Sequence, residues 1–318
     1  MSDLHLETPS ARPSYQHFKI QPECRYLALL GDIGKVIDYE FLAFLEDQLR
    51  VFEIVFFVQG NHEAYGTKVK AAVETMLGFQ RRMNENRQEG VEMGRFVFLN
   101  RTRFDITDSL TVLGCTLFSH ISDEQRQSVS LFCSDFSETL EWDIDAHNAS
   151  HLEDLIWLNA QVEQITLDEP QRKIVVFTHF SPTMLEAAND PKKLEDSNQV
   201  RSAFVTDLSD QLCWTSSSVR LWAFGHTHYN CDFVEEGTGK RIVANQKGYK
   251  RSEVDTFDAA MVVDIEIIET LSQNTFDNAI RCEKYARVSE SLKKLHKKVC
   301  IKQAFKYEKN ASQKLQQW

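Results

Sequence analysis

The sequence predicts an α/β layered domain. Short apolar runs rich in Val, Ile and Phe recur along the chain, each bounded by Gly, Asn, Asp or charge, as buried strands are. Helical patterns lie between several of them. Polar clusters of His, Asp and Asn stand where four of the runs end. Strands that alternate with helices form a sheet covered by helical layers, and ligands of open α/β sheets bind outside the carboxyl ends of the strands.

The runs, in order, are Tyr26–Leu30, Ile54–Val58, Phe96–Leu99, Thr111–Cys115, Ile174–Phe177, Leu221–Phe224, Ile242–Ala244 and Met261–Ile265. The helical segments are Tyr39–Leu49, Lys68–Arg87 and Ala146–Gln164; in the last, Leu152, Leu155, Ile156 and Trp157 recur near the 3.6 period. The last strand pattern ends near residue 268. Beyond it the chain is basic, lacks Gly and Pro, and is rich in helix formers, which predicts a main domain over 1–268 and a helical C-terminal extension over 269–318.

Composition narrows the function. Of 318 residues 42% are hydrophobic, enough to build a core and too many for a disordered chain. The net charge is −11, and residues 270–318 carry eleven basic and four acidic residues, so the body is near −18 and the tail near +7. An acidic body repels nucleic-acid backbone and anionic membrane, so nucleic acid is an unlikely partner. Lys293, Lys294, Lys297 and Lys298 read better as a solvated helix face, or one packed against the acidic body, than as a contact for RNA, membrane or an acidic partner. Seven cysteines with no C-x-x-C fit free thiols in a reducing compartment. No apolar stretch of about 18 residues and no basic-then-apolar leader are visible, so the expected location is the cytosol or nucleus.

The chemistry lies in five blocks. Asp3-Leu4-His5 opens the chain. Gly31-Asp32 follows YLALL, Gly60-Asn61-His62-Glu63 follows IVFFVQ, Thr178-His179 follows KIVVF, and Gly225-His226-Thr227-His228 follows RLWAF. Carboxylate, imidazole and amide oxygen together suit Mn, Fe, Zn or similar divalent ions. In extended backbone D-x-H and H-x-H point both side chains the same way. Glycine before Asp32, Asn61 and His226 allows sharp turns and close approach.

This ordered set resembles the calcineurin-like metallophosphoesterase superfamily, whose pattern is D-x-H, G-D, G-N-H-D/E, H, G-H-x-H. The spacing of about 29 residues between the first three blocks is similar to the family's, and the blocks span residues 2–228. The resemblance implies a four-layer α/β/β/α sandwich of two mixed β-sheets flanked by helices. It implies two divalent metal ions, with Asp3, His5 and His228 on the first, Asn61, His179 and His226 on the second, and Asp32 bridging both. It implies that His62 faces the phosphate as acid or electrostatic stabiliser, and that a metal-bridging hydroxide attacks a small phosphomonoester or phosphodiester in line.

Two positions depart from the pattern. Only Met1 and Ser2 precede Asp3, and chain termini fray, so the first metal site is expected to be loosely held. The protein-phosphatase branch has Asp-Arg after its G-D block, where this chain has Lys35-Val36, so a phosphodiesterase-like branch fits better than a Ser/Thr protein phosphatase.

Other residues are candidates for supporting roles. Asn148, His151 and Asn245 could line the substrate pocket. His147 and His151, at i and i+4, could form a metal pair but read better as surface or edge residues. Ser119–Asp145 reads equally as a cap over the site or as a surface loop. Glu63 could orient a neighbour, and Tyr249 could contact substrate or brace the metal shell. Against the hydrolase stand a non-catalytic metal-binding scaffold and, further off, a nuclease.

Overall fold

A computed structural model describes residues 1–265 apart from residue 196. The first strands, β1 (Tyr26–Leu30), β2 (Ile54–Val58) and β3 (Arg95–Phe98), form a parallel sheet in the order β1-β2-β3. The others are β4 (Thr102–Asp105), β5 (Leu110–Gly114), β6 (Lys173–Phe177), β7 (Val219–Phe224), β8 (Cys231–Val234) and β9 (Arg241–Ala244). They form a mixed sheet in the order β4-β5-β6-β7-β9-β8, antiparallel only at its two edges.

The two sheets pack face to face with helices outside. In β2, Val55 and Phe57 point toward α1 (Tyr39–Leu49) and α2 (Val69–Gln88), in a core shared with Phe41, Leu45, Met76 and Phe79. Phe56 points the other way, 5.4 Å from Phe104 and 6.0 Å from Phe177 of the second sheet. In β6, Ile174 and Val176 face a second core containing Leu158 and Val162 of the long helix Ile144–Asp168. Strands buried on both faces read as continuous apolar runs, which is why they stood out in the sequence. Truncating a side chain such as Phe57 costs about 3–5 kcal/mol.

The differences from expectation are at the edges. Strands β4 and β8 were not foreseen: TRFD and CDFV are short, polar and half exposed, because an edge strand has only one covered side. No strand forms over Met261–Ile265, where the chain runs irregularly after a turn. The predicted C-terminal helices lie outside the described residues. No helix among the described residues is long and apolar enough to cross a membrane.

The N-terminal segment is the largest correction. It is held on both sides. The amides of Asp3, His5 and Leu6 donate to the carbonyls of Gly31, Asp32 and Ile33 beyond β1. On the other side Ser2 donates to Asn245 O and accepts from Lys247 N, and Asp3 O accepts from Gly248 N, beyond β9. Residues 2–6 therefore bridge the carboxyl ends of both sheets. Leu4 and Leu6 fill the first core while Asp3 and His5 are 0% and 2% exposed, so the loose first half-site expected from the short lead-in is not what the fold builds.

Candidate metal centre

The five blocks converge. Asp3 and His5 lie on the bridging segment, Asp32 just past β1, Asn61 and His62 past β2, His179 past β6, and His226 and His228 past β7. Three triads place their donor atoms within 4.8 Å of one another: Asp3, His5 and His228; His5, Asp32 and His62; Asp32, His179 and His226. His5 Nε2 is 3.0 Å from His228 Nε2 and 3.9 Å from Asp32 Oδ2. Asp3 Oδ1 is 3.3 Å from His228 Nε2. His179 Nε2 is 3.4 Å from Asp32 Oδ1 and 3.0 Å from Asn61 Oδ1.

The pairs face common points by a route other than alternation in extended strand. Asp3, His5, Asp32, His226 and His228 all have positive φ, between 46° and 69°. Left-handed backbone costs roughly 1–2 kcal/mol for each residue that carries a Cβ. Its concentration on five candidate ligands marks strain held by the surrounding structure for the sake of the site. Close approach is real as well: a Cβ on Gly31 would lie 2.4 Å from His179 Nδ1, and one on Gly225 would lie 2.6 Å from Asp3 Oδ2.

The donor set fits divalent cations. Ligands about 2.0–2.2 Å from one metal lie roughly 3.0–3.5 Å from each other, and all the donor pairs above but His5 with Asp32 fall at 3.0–3.4 Å. His226 Nε2 is buried with no hydrogen-bond partner, an orphan that a cation would satisfy. Burial would raise the Asp32 carboxyl pKa, but His179, His62 and His5 hold it well below the usual range. Burial likewise opposes ionisation of Asp3, and the His228 hydrogen bond and charge win, at about 2. Burial drives the His226 pKa well below its usual value, which leaves that imidazole neutral and free to donate its lone pair.

Four neighbours brace these groups. Glu63 is fully buried and accepts from the amides of Gly60, Ile33 and Asp32 at 2.7, 2.8 and 3.1 Å, so it ties together the loops that carry Asp32 and Asn61. Glu7 was not foreseen. Its Oε1 lies 2.9 Å from His62 Nδ1 and 3.3 Å from His5 Nδ1, so one carboxylate orients both rings. The signal was available, since Glu7 continues the period-two series Asp3, His5. Tyr65 stacks on His62 with centroids 4.2 Å apart. Tyr249 stacks on His5 at 4.1 Å, and its hydroxyl lies 3.0 Å from His62 Nε2.

Other candidates sit elsewhere. Asn148 clasps the backbone of Ile121 through both its amide atoms, and His151 Nδ1 bonds Phe118 O. Asn245 closes the following loop by bonding Asp258 N and O. Asn148 and Asn245 spend both ends of their amides on backbone, and His151 spends its Nδ1. His147 and His151 are buried, not superficial, and burial lowers their pKa values to about 3 and 4, so both are neutral packing residues. The segment 119–145 does stand beside the centre. Its Ile121, Val129 and Ile144 pack with Ala203 and Phe204, and Phe204 stacks on His226 at 5.1 Å.

The strand ends of this two-sheet sandwich gather carboxylate and imidazole donors into three cation-sized triads, the arrangement of a metal-binding α/β/β/α protein. The calcineurin-like phosphoesterase family model matches residues 1–230, and the chain belongs to that family. It is 27% identical over 281 residues to an uncharacterized protein of Acanthamoeba polyphaga mimivirus, covering 84% of this chain and 95% of that one. Among solved structures it is similar to phosphopantetheinyl hydrolase from Mycobacterium tuberculosis, with TM-score 0.58, 17% identity, and 79% and 89% of the two chains covered. A dimetal phosphatase from Danio rerio aligns with TM-score 0.41 and 16% identity over 70% of this chain and 72% of that one.

Proposed function

We propose that this chain hydrolyses small phosphomonoesters or phosphodiesters with two divalent metal ions. The observation that carries this is the sharing of Asp32 between the donor cluster of His5 and that of His179 and His226. In this reading Asp3, His5 and His228 hold the first cation, Asn61, His179 and His226 the second, and Asp32 both. Bound together, such cations neutralise phosphoryl oxygens and lower the pKa of water toward about 7.

The chain's own residues supply the rest. Glu7 fixes His62 with Nδ1 held and Nε2 turned toward the centre. Burial lowers the His62 pKa, but Asp32 and Glu7 outweigh it and raise it from 6.5 to about 9. With Glu7 on Nδ1, the Nε2 end of His62 is the group placed to give a proton to the leaving oxygen. A phosphodiesterase-like reaction fits the absence of Asp-Arg after Gly31-Asp32, which leaves no arginine clamp on that loop.

The test is metal quantification with a panel of p-nitrophenyl phosphate and its bis ester under Mn²⁺, Zn²⁺ and Fe²⁺. About two metals per chain with turnover of at least one ester is expected; less than one metal and no turnover under any of them would remove the proposal. A second expectation concerns pH. The protonated fraction of His62 falls as pH rises through its pKa. Glu7→Gln removes a charge that raises that pKa, so the alkaline fall in kcat should move to lower pH while KM changes little. An unmoved alkaline limb would refute the Glu7–His62 coupling.

A further inference from the structure

Asn61 ends in two unlike atoms. A side-chain amide binds a cation only through its oxygen, and a rotation about its last bond would present the NH2 group instead. The structure shows what prevents it. Asn61 Nδ2 donates to Asp135 Oδ1 at 2.8 Å while Asn61 Oδ1 lies 3.0 Å from His179 Nε2. Asp135 is 74 residues away in sequence, at the start of the short helix Asp135–Glu138, and 8% exposed. A carboxylate accepts and cannot donate when ionised, so it bonds only the amide's nitrogen end. The same Oδ1 accepts from the Tyr65 hydroxyl at 2.5 Å, and Ser134 Oγ lies 2.9 Å from that hydroxyl. Tyr65 in turn stacks on His62.

We propose that Asp135 is a positioning residue that locks the Asn61 amide with its oxygen toward the second cation and, through Tyr65, holds the face of His62. The inference rests on the metal assignment proposed above and adds the partner that makes an asparagine usable there. Groups that orient metal ligands typically alter affinity by about 10–100-fold when removed.

The experiment is a Mn²⁺ titration by calorimetry on the full chain, with Asn61→Ala as reference. Asp135→Ala should weaken one of the two cations by about 10–100-fold and leave the other unchanged. Asp135→Asn retains an acceptor oxygen for Asn61 and Tyr65, so it should restore affinity close to wild type, which a merely structural role for the charge would not predict. Asp135→Ser, too short to reach Asn61, should repeat the alanine result and stands in for it if that variant does not fold. Unchanged affinity in Asp135→Ala or Asp135→Ser, equal loss of both cations, or Asp135→Asn as impaired as alanine would each overturn the inference. If Asn61→Ala itself leaves both cations in place, the metal assignment fails instead, and the two failures are told apart.

Discussion

His62→Ala should lower kcat by about 10²–10⁴-fold while the metal content stays at the wild-type value. The imidazole is held firmly in place. Glu7 grips Nδ1 at 2.9 Å, Tyr65 stacks on the ring, and Nε2 is directed to where Tyr249 Oη lies 3.0 Å away. Its side chain is also 3.9 Å from Asp32 Oδ2, and its donor atom falls in a triad with His5 and Asp32 that could itself hold a cation. The variant separates the two roles. Loss of activity with full metal content supports proton donation to the leaving oxygen. Loss of a cation in parallel with activity would make His62 a ligand and end the acid assignment. Esters with better leaving groups need less protonation, so the deficit should shrink with p-nitrophenoxide and grow with an alkyl ester.

Gly60→Ala should strip the chain of metal although the change adds one methyl group. An ideal Cβ at residue 60 would lie 2.3 Å from Asp32 Oδ1, 2.7 Å from Asp32 N and 2.9 Å from His179 Cε1. None of these can be met without movement, and two of them belong to the residue proposed to serve both cations. Asp32 Oδ1 also accepts from His62 N at 2.9 Å, so displacing the carboxylate loosens His62 at the same time. Overpacking of this kind costs about 1–3 kcal/mol of stability, which a domain with two full cores should survive. A shift on the order of 1 Å at a reacting centre costs about 10²-fold in rate. The measurement is metal content per folded chain with circular dichroism as the fold control. A folded variant that retains two cations would show that Asp32 is not where the structure puts its function.

The legible part of the site was the part written in residue type and local order. Strands β1, β2, β6 and β7 are largely buried and apolar, so they appear as unbroken runs, and the candidate ligand blocks stand at their ends. The edge strands β4 and β8 were invisible because half their residues face outward and carry no run. The helix Ile144–Asp168 was found by its apolar repeats, yet His147 and His151 on it read as superficial. Against them pack Phe118, which precedes the helix, and Phe180, which follows it, two separate segments that only the fold brings together.

The sequence by itself determined the layered class, the ordered blocks and the types of donor atom they offer, because these depend on hydropathy runs and on chemistry carried by single residues. Only the tertiary structure decided that the opening residues are clamped between two sheets, that Glu7 reaches His62, and that Asp135 reaches Asn61. The last two are side-chain hydrogen bonds across 55 and 74 residues, and the first is made by backbone bonds to both sheets. No local period encodes such a bond: its partners are neighbours only after both sheets have formed and packed.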